Sequence, residues 1–257
     1  MTNEEKYRVA ICLHGLVGNA VGKSYNSYDG AKEVLALSVK HWFENVVNIQ
    51  ENTEVDFFTH SWSTEVEQDI ISGFKPKKYL IEPERTFEIP KHVVGTENRK
   101  QAHWHRWYSC QQSITMKKNY ELENNFAYDS VMSARYDLAW KKAPRFKEYD
   151  QNKFWVSNWY NKGNRVLANY KCKDFWFFSN SQNINKFGNL YDSLNEYTLP
   201  GASGQNAKLG VSSHHLTAYH LNQLKFPVGY TLKATKRDLD TDCDFPVIRY
   251  VYFNPKI

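Results

Sequence analysis

The first organised stretch of the chain is a continuous apolar and β-branched run, Tyr7 to Leu13 (YRVAICL). A run with no polar side predicts a strand buried on both faces, as in a parallel sheet. Ala31 to Phe43 then spaces Ala31, Val34, Leu35, Val39 and Trp42 as one face of a helix, with Asp29 placed to cap it. Val55 to Thr59 (VDFFT) predicts a second buried strand and Lys77 to Ile81 (KKYLI) a third. Strand, helix and strand in that order are the opening of a parallel α/β sheet.

Polar positions dominate from Glu82 to Lys100, where two prolines and no clear period predict a long, mobile surface loop. Helical spacing resumes over Gln101 to Asn124, with Trp104, Trp107, Cys110 and Ile114 on one face. His103 and His105 lie two apart there and point in different directions, a poor metal pair. In the next stretch, Asn124 to Trp140 (NNFAYDSVMSARYDLAW), small and apolar residues at Tyr128, Ser130, Met132 and Ala134 lead into Arg135-Tyr136-Asp137. This predicts a strand presenting an aspartate at the carboxyl edge of the sheet, where α/β folds bind ligands.

Phe154 to Trp159 and the aromatic run opened by Asp174 (DFWFFSNS) predict two more strands. Gln182 to Tyr197 reads as a helix with Ile184, Phe187, Leu190, Tyr191 and Leu194 on its apolar side. Leu199 to Val211 is a small-residue loop of the kind that closes over ligands. A serine-capped helix over Ser212 to Leu224 carries His214-His215, and VIRYVYF predicts a closing strand. With no internal repeat, low-complexity tract or linker, a single domain over 1–257 is expected.

Composition narrows the function classes. The chain is long enough to bury a sizeable core. Its 33 Lys+Arg against 28 Asp+Glu include no basic block interleaved with aromatics, so nucleic acid is not the expected partner. The mild positive balance suits a protein that handles anions such as nucleotide phosphates. Cys12, Cys110, Cys172 and Cys243 are far apart and form no C-x-x-C pair, which predicts neither a zinc site nor a disulfide framework but a reducing, cytoplasmic setting. The polar start, MTNEEKYRVAICLHG, is not expected to act as a signal peptide, and no apolar run reaches the roughly 20 residues of a membrane helix. Most of the 8 Trp, 17 Tyr and 15 Phe belong to the core, while WHRWYSC and FWVSNWY are candidate platforms for sugar rings.

Three stretches carry candidate chemistry. Asp137 could hold a divalent cation against nucleotide phosphates, since Mg²⁺ takes one or two protein carboxylates and completes its shell with phosphate and water. The loop after the first strand contains Gly22-Lys23-Ser24, but a P-loop needs its first glycine where Val17 stands, and it must run straight into a helix where YNSYDG follows. Gly15, Gly18 and Lys23 remain candidates for a looser glycine-rich phosphate loop. Lys236 to Phe245 (KRDLDTDCDF) holds three overlapping D-x-D triplets, yet Cys243 and Arg249 stand where an EF-hand needs Gly and Glu. It reads as a solvated acidic turn, with Ca²⁺ binding as the alternative.

The order of motifs resembles a family of GT-A glycosyltransferases from bacterial surface-polysaccharide clusters and viruses, similar to the WavE-type lipopolysaccharide synthesis proteins. The resemblance is carried by Cys12-Leu13-His14-Gly15, by Asp56 to Trp62 with its His60-Ser61-Trp62 element, and by the helix around Trp107 to Tyr120. It continues through Tyr128-Asp129 to Arg135-Tyr136-Asp137, then Asp174 to Phe178 and Leu190-Tyr191, spanning most of residues 8 to 225. It implies an α/β, GT-A-like (Rossmann-like) fold with a mostly parallel central sheet flanked by helices. It also implies a UDP-, GDP- or CMP-sugar donor, a glycan or other hydroxyl acceptor, and Mn²⁺ or Mg²⁺ with Asp137 as the second carboxylate of the usual D-x-D. The setting implied is a bacterial cytoplasm, or that of the host for a viral protein.

Two positions depart from the family pattern. Leu16, Val17 and Gly18 stand where relatives carry an arginine, leaving Lys23 as the phosphate contact, and His214-His215 stand near where relatives carry a glutamate. The expected donor-binding residues are therefore Gly15, Gly18, Lys23, His60, Trp62 and Arg135. Asp174 is the first choice of base and His214 or His215 the second. The rival readings are a P-loop-like sulfo- or phosphotransferase using Gly18 to Ser24, and a catalytically degenerate carbohydrate-binding protein, since Arg135 replaces the first D-x-D carboxylate.

Overall fold

The structure is a computed structural model that describes residues 6–18, 28–159, 172–202, 205–206, 210–234 and 243–248. The first strand, β1 (Tyr7–Gly15), lies inside the sheet, and Val9 to Leu13 are fully buried, as a run without a polar face requires. It pairs in parallel with β2 (Thr53–Ser61) on one side and β4 (Ser130–Arg135) on the other, and β3 (Lys78–Ile81) extends the sheet beyond β2. Past β4 come β6 (Trp176–Ser179), β5 (Phe154–Trp159) and β9 (Val228–Ala234), giving the order β3-β2-β1-β4-β6-β5-β9. Within it β6 runs antiparallel to both neighbours, and every other pairing is parallel. The expected α/β architecture with a mostly parallel sheet is therefore present.

Alternation along the strands divides the core into two layers. Val9, Ile11, Leu13, Met132 and Ala134 pack with α1 (Tyr28–Trp42) and α2 (Glu67–Phe74). Ala10, Cys12, Phe58 and Val131 pack on the other face, with α3 (Glu97–Asn124), α4 (Ser181–Phe187), α5 (Leu194–Tyr197) and α6 (Ser213–Leu224).

The long helix α3 meets the sheet with a stripe that is largely polar: Ser109, Cys110, Ser113, Lys117 and Glu121 are all buried. Lys117 Nζ donates to Glu121 Oε2 at 2.9 Å, Ser181 Oγ at 2.6 Å and Asn185 Oδ1 at 2.8 Å. Glu121 Oε1 in turn accepts the Tyr128 N–H at 2.9 Å. An ammonium with all three protons placed can stay buried, and the network ties α3 to α4 and to the entry of β4.

Several expectations are corrected. The helix expected over Gln182 to Tyr197 is broken: α4 ends at Phe187, Gly188–Ser193 forms a 3₁₀ turn, and α5 follows. Gly188 lies so close to α3 that an added Cβ would sit 3.1 Å from Ile114, so the chain tightens where the helices touch. The Glu82 to Lys100 stretch is not loose, because α3 already starts at Glu97 and the rest is bonded to it. Gln101 exchanges both amide bonds with the Phe87 backbone, and His105 Nε2 lies 2.6 Å from the Arg85 carbonyl.

The small-residue loop contains β7 (Gln205–Asn206) and β8 (Gly210–Val211), paired antiparallel, and the Val211 N–H donates to the Val94 carbonyl at 3.0 Å. Gly210 has φ +75°, and a Cβ there would collide with that same carbonyl. Strand β9 (VGYTLKA) was hidden by its weak apolar pattern, and within it Gly229 lies against the Trp155 ring. Of VIRYVYF, only Val247 and Ile248 are among the described residues, with Val247 bridging Leu138. Asp238, Asp240 and Asp242 of the acidic run lie outside them.

Candidate functional site

Strands β2 and β3 lie to one side of β1 and β4 to the other, so the sheet changes direction between β1 and β4. Ligands of open α/β sheets bind at such a switch point, beyond the carboxyl ends of the strands. Here the register places His60, His14 and Arg135 side by side across β2, β1 and β4, on the face covered by α3. Residues His103, Arg106 and Ser109 reach the same end from α3. Asp174 reaches it from the segment ahead of β6, and His214 from the first turn of α6.

The contacts are specific. His60 Nδ1 is 2.7 Å from Ser109 Oγ and its Nε2 3.1 Å from Glu82 Oε1, while Ser109 Oγ also accepts the Gly15 N–H at 2.7 Å. Arg135 donates twice to one carboxylate, Nε to Asp137 Oδ1 at 2.9 Å and Nη2 to Oδ2 at 2.7 Å. Asp174 stands between a guanidinium and an imidazole, with Oδ2 3.1 Å from Arg106 Nε and Oδ1 3.3 Å from His214 Nδ1. The same Nδ1 is 2.8 Å from the Cys172 carbonyl. Both Arg135 and Lys173 sit over the Phe175 ring, 5.3 and 5.0 Å from its centre. Arg106 Nη2 and both ring nitrogens of His14 are buried without a hydrogen-bond partner.

Burial and charge set the protonation states. Burial alone would raise the Asp174 carboxyl, but Arg106, His214 and Arg135 together overcome it and hold the group well below the usual carboxylate range. Burial pushes His14 down, aided by Arg106 and Arg135, so it stays neutral. Burial likewise lowers His103 and His220 to about 4.

These shifts predict acid sensitivity. Each histidine binds a proton more readily unfolded, at about 6.5, than folded, so stability is full above that pH and falls as pH drops from about 6.5 toward 4. Asp174, depressed when folded, adds a further loss as pH falls below about 4. Urea-unfolding midpoints should therefore decline across this range; a midpoint constant from pH 7 to 4 would contradict the buried neutral histidines.

No protein-family model matches the chain. No curated protein sequence matches it either. Among solved structures it is similar to a candidate nucleotide-diphospho-sugar transferase from Desulfovibrio desulfuricans G20, with 6% sequence identity, covering 90% of this chain and 82% of that one, at a TM-score of 0.44. A likeness at that level says nothing about residues or reaction.

Of the residues expected at the site, Asp174, His214, Arg135 and Gly15 do converge here. Gly15 ends β1 at φ +101°. His60 and Trp62 are in its wall and inaccessible: His60 is bonded through both nitrogens, and Trp62 is stacked on Tyr108. Gly18 packs on the Ala31 backbone, and Lys23 lies outside the described residues. His214 reaches Asp174, whereas His215 follows in the first turn with its N–H on the Ser212 carbonyl.

Asp137 is not the metal-facing residue expected. Its side chain is 1% exposed, and Arg135 covers both of its oxygens. The Asp174 oxygens face Arg106 and His214. Among the described residues no group of three or more His, Cys, Asp and Glu side chains could hold a metal ion. The residues at this edge therefore do not fit Mn²⁺ or Mg²⁺. A groove of about 700 Å³ lined by Tyr7, Arg8, Asp129 and Lys147 lies at the amino ends of the strands, the opposite edge from these groups.

The sequence reading missed Arg106 and weighed His103 only as half of a poor metal pair. Their signal was the spacing His103, Arg106, Cys110, Ser113, Lys117 on α3, a polar row at three- and four-residue steps beside the tryptophan face. It is the mark of a helix that packs on polar groups of its own sheet. No described helix is long and apolar enough to cross a membrane.

Proposed function

We propose that this protein is a glycosyltransferase that moves a sugar from a nucleoside-diphosphate donor to a hydroxyl acceptor, working as one domain in the crevice between β1 and β4. One observation supports this most: at the topological switch point, Arg106 and Arg135 stand beside a histidine oriented by a carboxylate, Asp174–His214. Glycosyl transfer needs the charge of the departing diphosphate balanced and a proton taken from the acceptor. Guanidinium groups match phosphate oxygens in geometry and charge. Arg135 stands 19% exposed at the carboxyl end of β4, and Arg106 has a buried Nη2 without a partner.

His214 is the better base. Asp174, held ionised by its neighbours, is a weak proton acceptor, but with the nearer Cys172 carbonyl, 2.8 Å from Nδ1, it favours the Nδ1–H tautomer of His214 and makes Nε2 the basic nitrogen. His214 is a third exposed, within reach of an acceptor, while Asp174 is buried.

The expected result in a melting panel of UDP-, GDP- and CMP-sugars is that a UDP- or GDP-sugar, not the monophosphate CMP-sugar, raises the melting temperature by about 5–10 °C at a hundredfold excess over its Kd. Arg106→Ala should lose most of that shift. A panel in which no nucleotide-sugar stabilises the protein would overturn the reading.

A further inference from the structure

In the row His60, His14, Arg135, both flanking residues are partnered: His60 by Ser109 and Glu82, Arg135 by Asp137. The middle residue is not. His14 is 1% exposed and neither ring nitrogen has a partner. A buried polar group left unpaired costs free energy, and such groups are rare in folded proteins unless something arrives to complete them. His14 also stands at the carboxyl end of its strand, beside Arg135 at the switch point. At Gly15, the next residue, φ is +101° and a built Cβ would meet nothing within 4 Å, so close packing of β1 ends immediately after His14.

We infer that His14 is a binding residue for a carbohydrate ring hydroxyl of the donor, on the ribose or on the transferred sugar; this rests on the glycosyltransferase reading above. The argument is one of matching donors and acceptors. Buried and flanked by Arg106 and Arg135, the imidazole stays neutral, so it offers one N–H donor and one bare nitrogen acceptor. Diphosphate oxygens only accept and would satisfy half of it. A hydroxyl both donates and accepts, and a pair of neighbouring hydroxyls can use both nitrogens. The arginines on either side then take the phosphate, and His14 takes the ring beside it.

The test uses the full chain and isothermal titration calorimetry. The ligands are the nucleotide-sugar that stabilises the wild type, its nucleoside diphosphate, and the 2′-deoxyribose form of that diphosphate. His14→Leu should bind the nucleotide-sugar about ten- to a hundredfold more weakly, because a hydroxyl loses its partner. Its ligand-free melting temperature should be unchanged or higher, since no bond is broken and an unpaired group is removed. His14→Gln, which keeps one donor and one acceptor, should recover part of the affinity.

If the loss appears with the diphosphate and disappears with the 2′-deoxy form, the hydroxyl is on ribose. A loss confined to the nucleotide-sugar places it on the transferred sugar. Wild-type affinity of His14→Leu for all three ligands overturns the role of His14 and leaves the proposed function standing. A His14→Leu protein that melts well below wild type without ligand shows a structural partner instead and overturns it too. Failure of the wild type to bind any nucleotide-sugar removes both proposals.

Discussion

Arg135→Ala is expected to destabilise the fold by about 3–5 kcal/mol, the usual cost of removing one partner from a buried ion pair. The Asp137 side chain is 1% exposed, and its two oxygens take two guanidinium N–H bonds. Without the guanidinium, a buried carboxylate loses two charge-assisted hydrogen bonds. Water cannot repair this cheaply, because Tyr136, Leu138 and Ala139 around it are also buried. Chemical denaturation of Arg135→Ala against Arg135→Leu/Asp137→Leu separates the causes. The double variant should recover most of the loss, since apolar replacement of a whole buried pair is often neutral or stabilising. A single variant within about 0.5 kcal/mol of wild type would mean that Asp137 is solvated and able to take another partner.

The largest effect on turnover is expected at His214. If its imidazole accepts the proton of the attacking hydroxyl, His214→Ala should lower kcat by about 10²–10⁴, the usual contribution of a positioned general base, with little change in donor affinity. Asp174→Asn should also reduce kcat, because the carboxylate that stabilises the protonated imidazole is lost, while the Cys172 carbonyl 2.8 Å from Nδ1 still holds the Nδ1–H tautomer. It should cost stability as well, since Arg106 then loses its buried counter-ion. The two variants therefore differ in a second readout. A kcat for His214→Ala within a factor of about three of wild type would assign the proton to another group.

These two cases show what the sequence makes legible. The run YRVAICL could be placed in the sheet from residue types alone, because a strand covered on both faces has no polar positions. The acid at the edge of β4 was legible too, but its use was not: Arg135, two residues earlier, folds onto it and converts a candidate ligand into half of an internal ion pair. Arg106 and Lys117 were overlooked for a related reason. Asp174, the partner of Arg106, lies 68 residues further along the chain. Although Glu121 is a local partner for Lys117, the Ser181 that helps complete its shell lies 64 residues away, so a local window sees an ordinary surface pair and a lone arginine. Asp174 and His214 were each selected for the site, but their pairing depends on how α6 returns to the sheet, which no periodicity encodes.

The bond between Val211 and Val94 has a mechanical consequence. It joins the segment just ahead of α3, which carries His103 and Arg106, to the segment just ahead of α6, which carries His214. At Gly210 the two backbones approach too closely for any side chain. Arg99 adds a second tie, its Nε donating to the Val211 carbonyl at 2.8 Å, so neither helix entrance can be displaced alone without breaking these bonds.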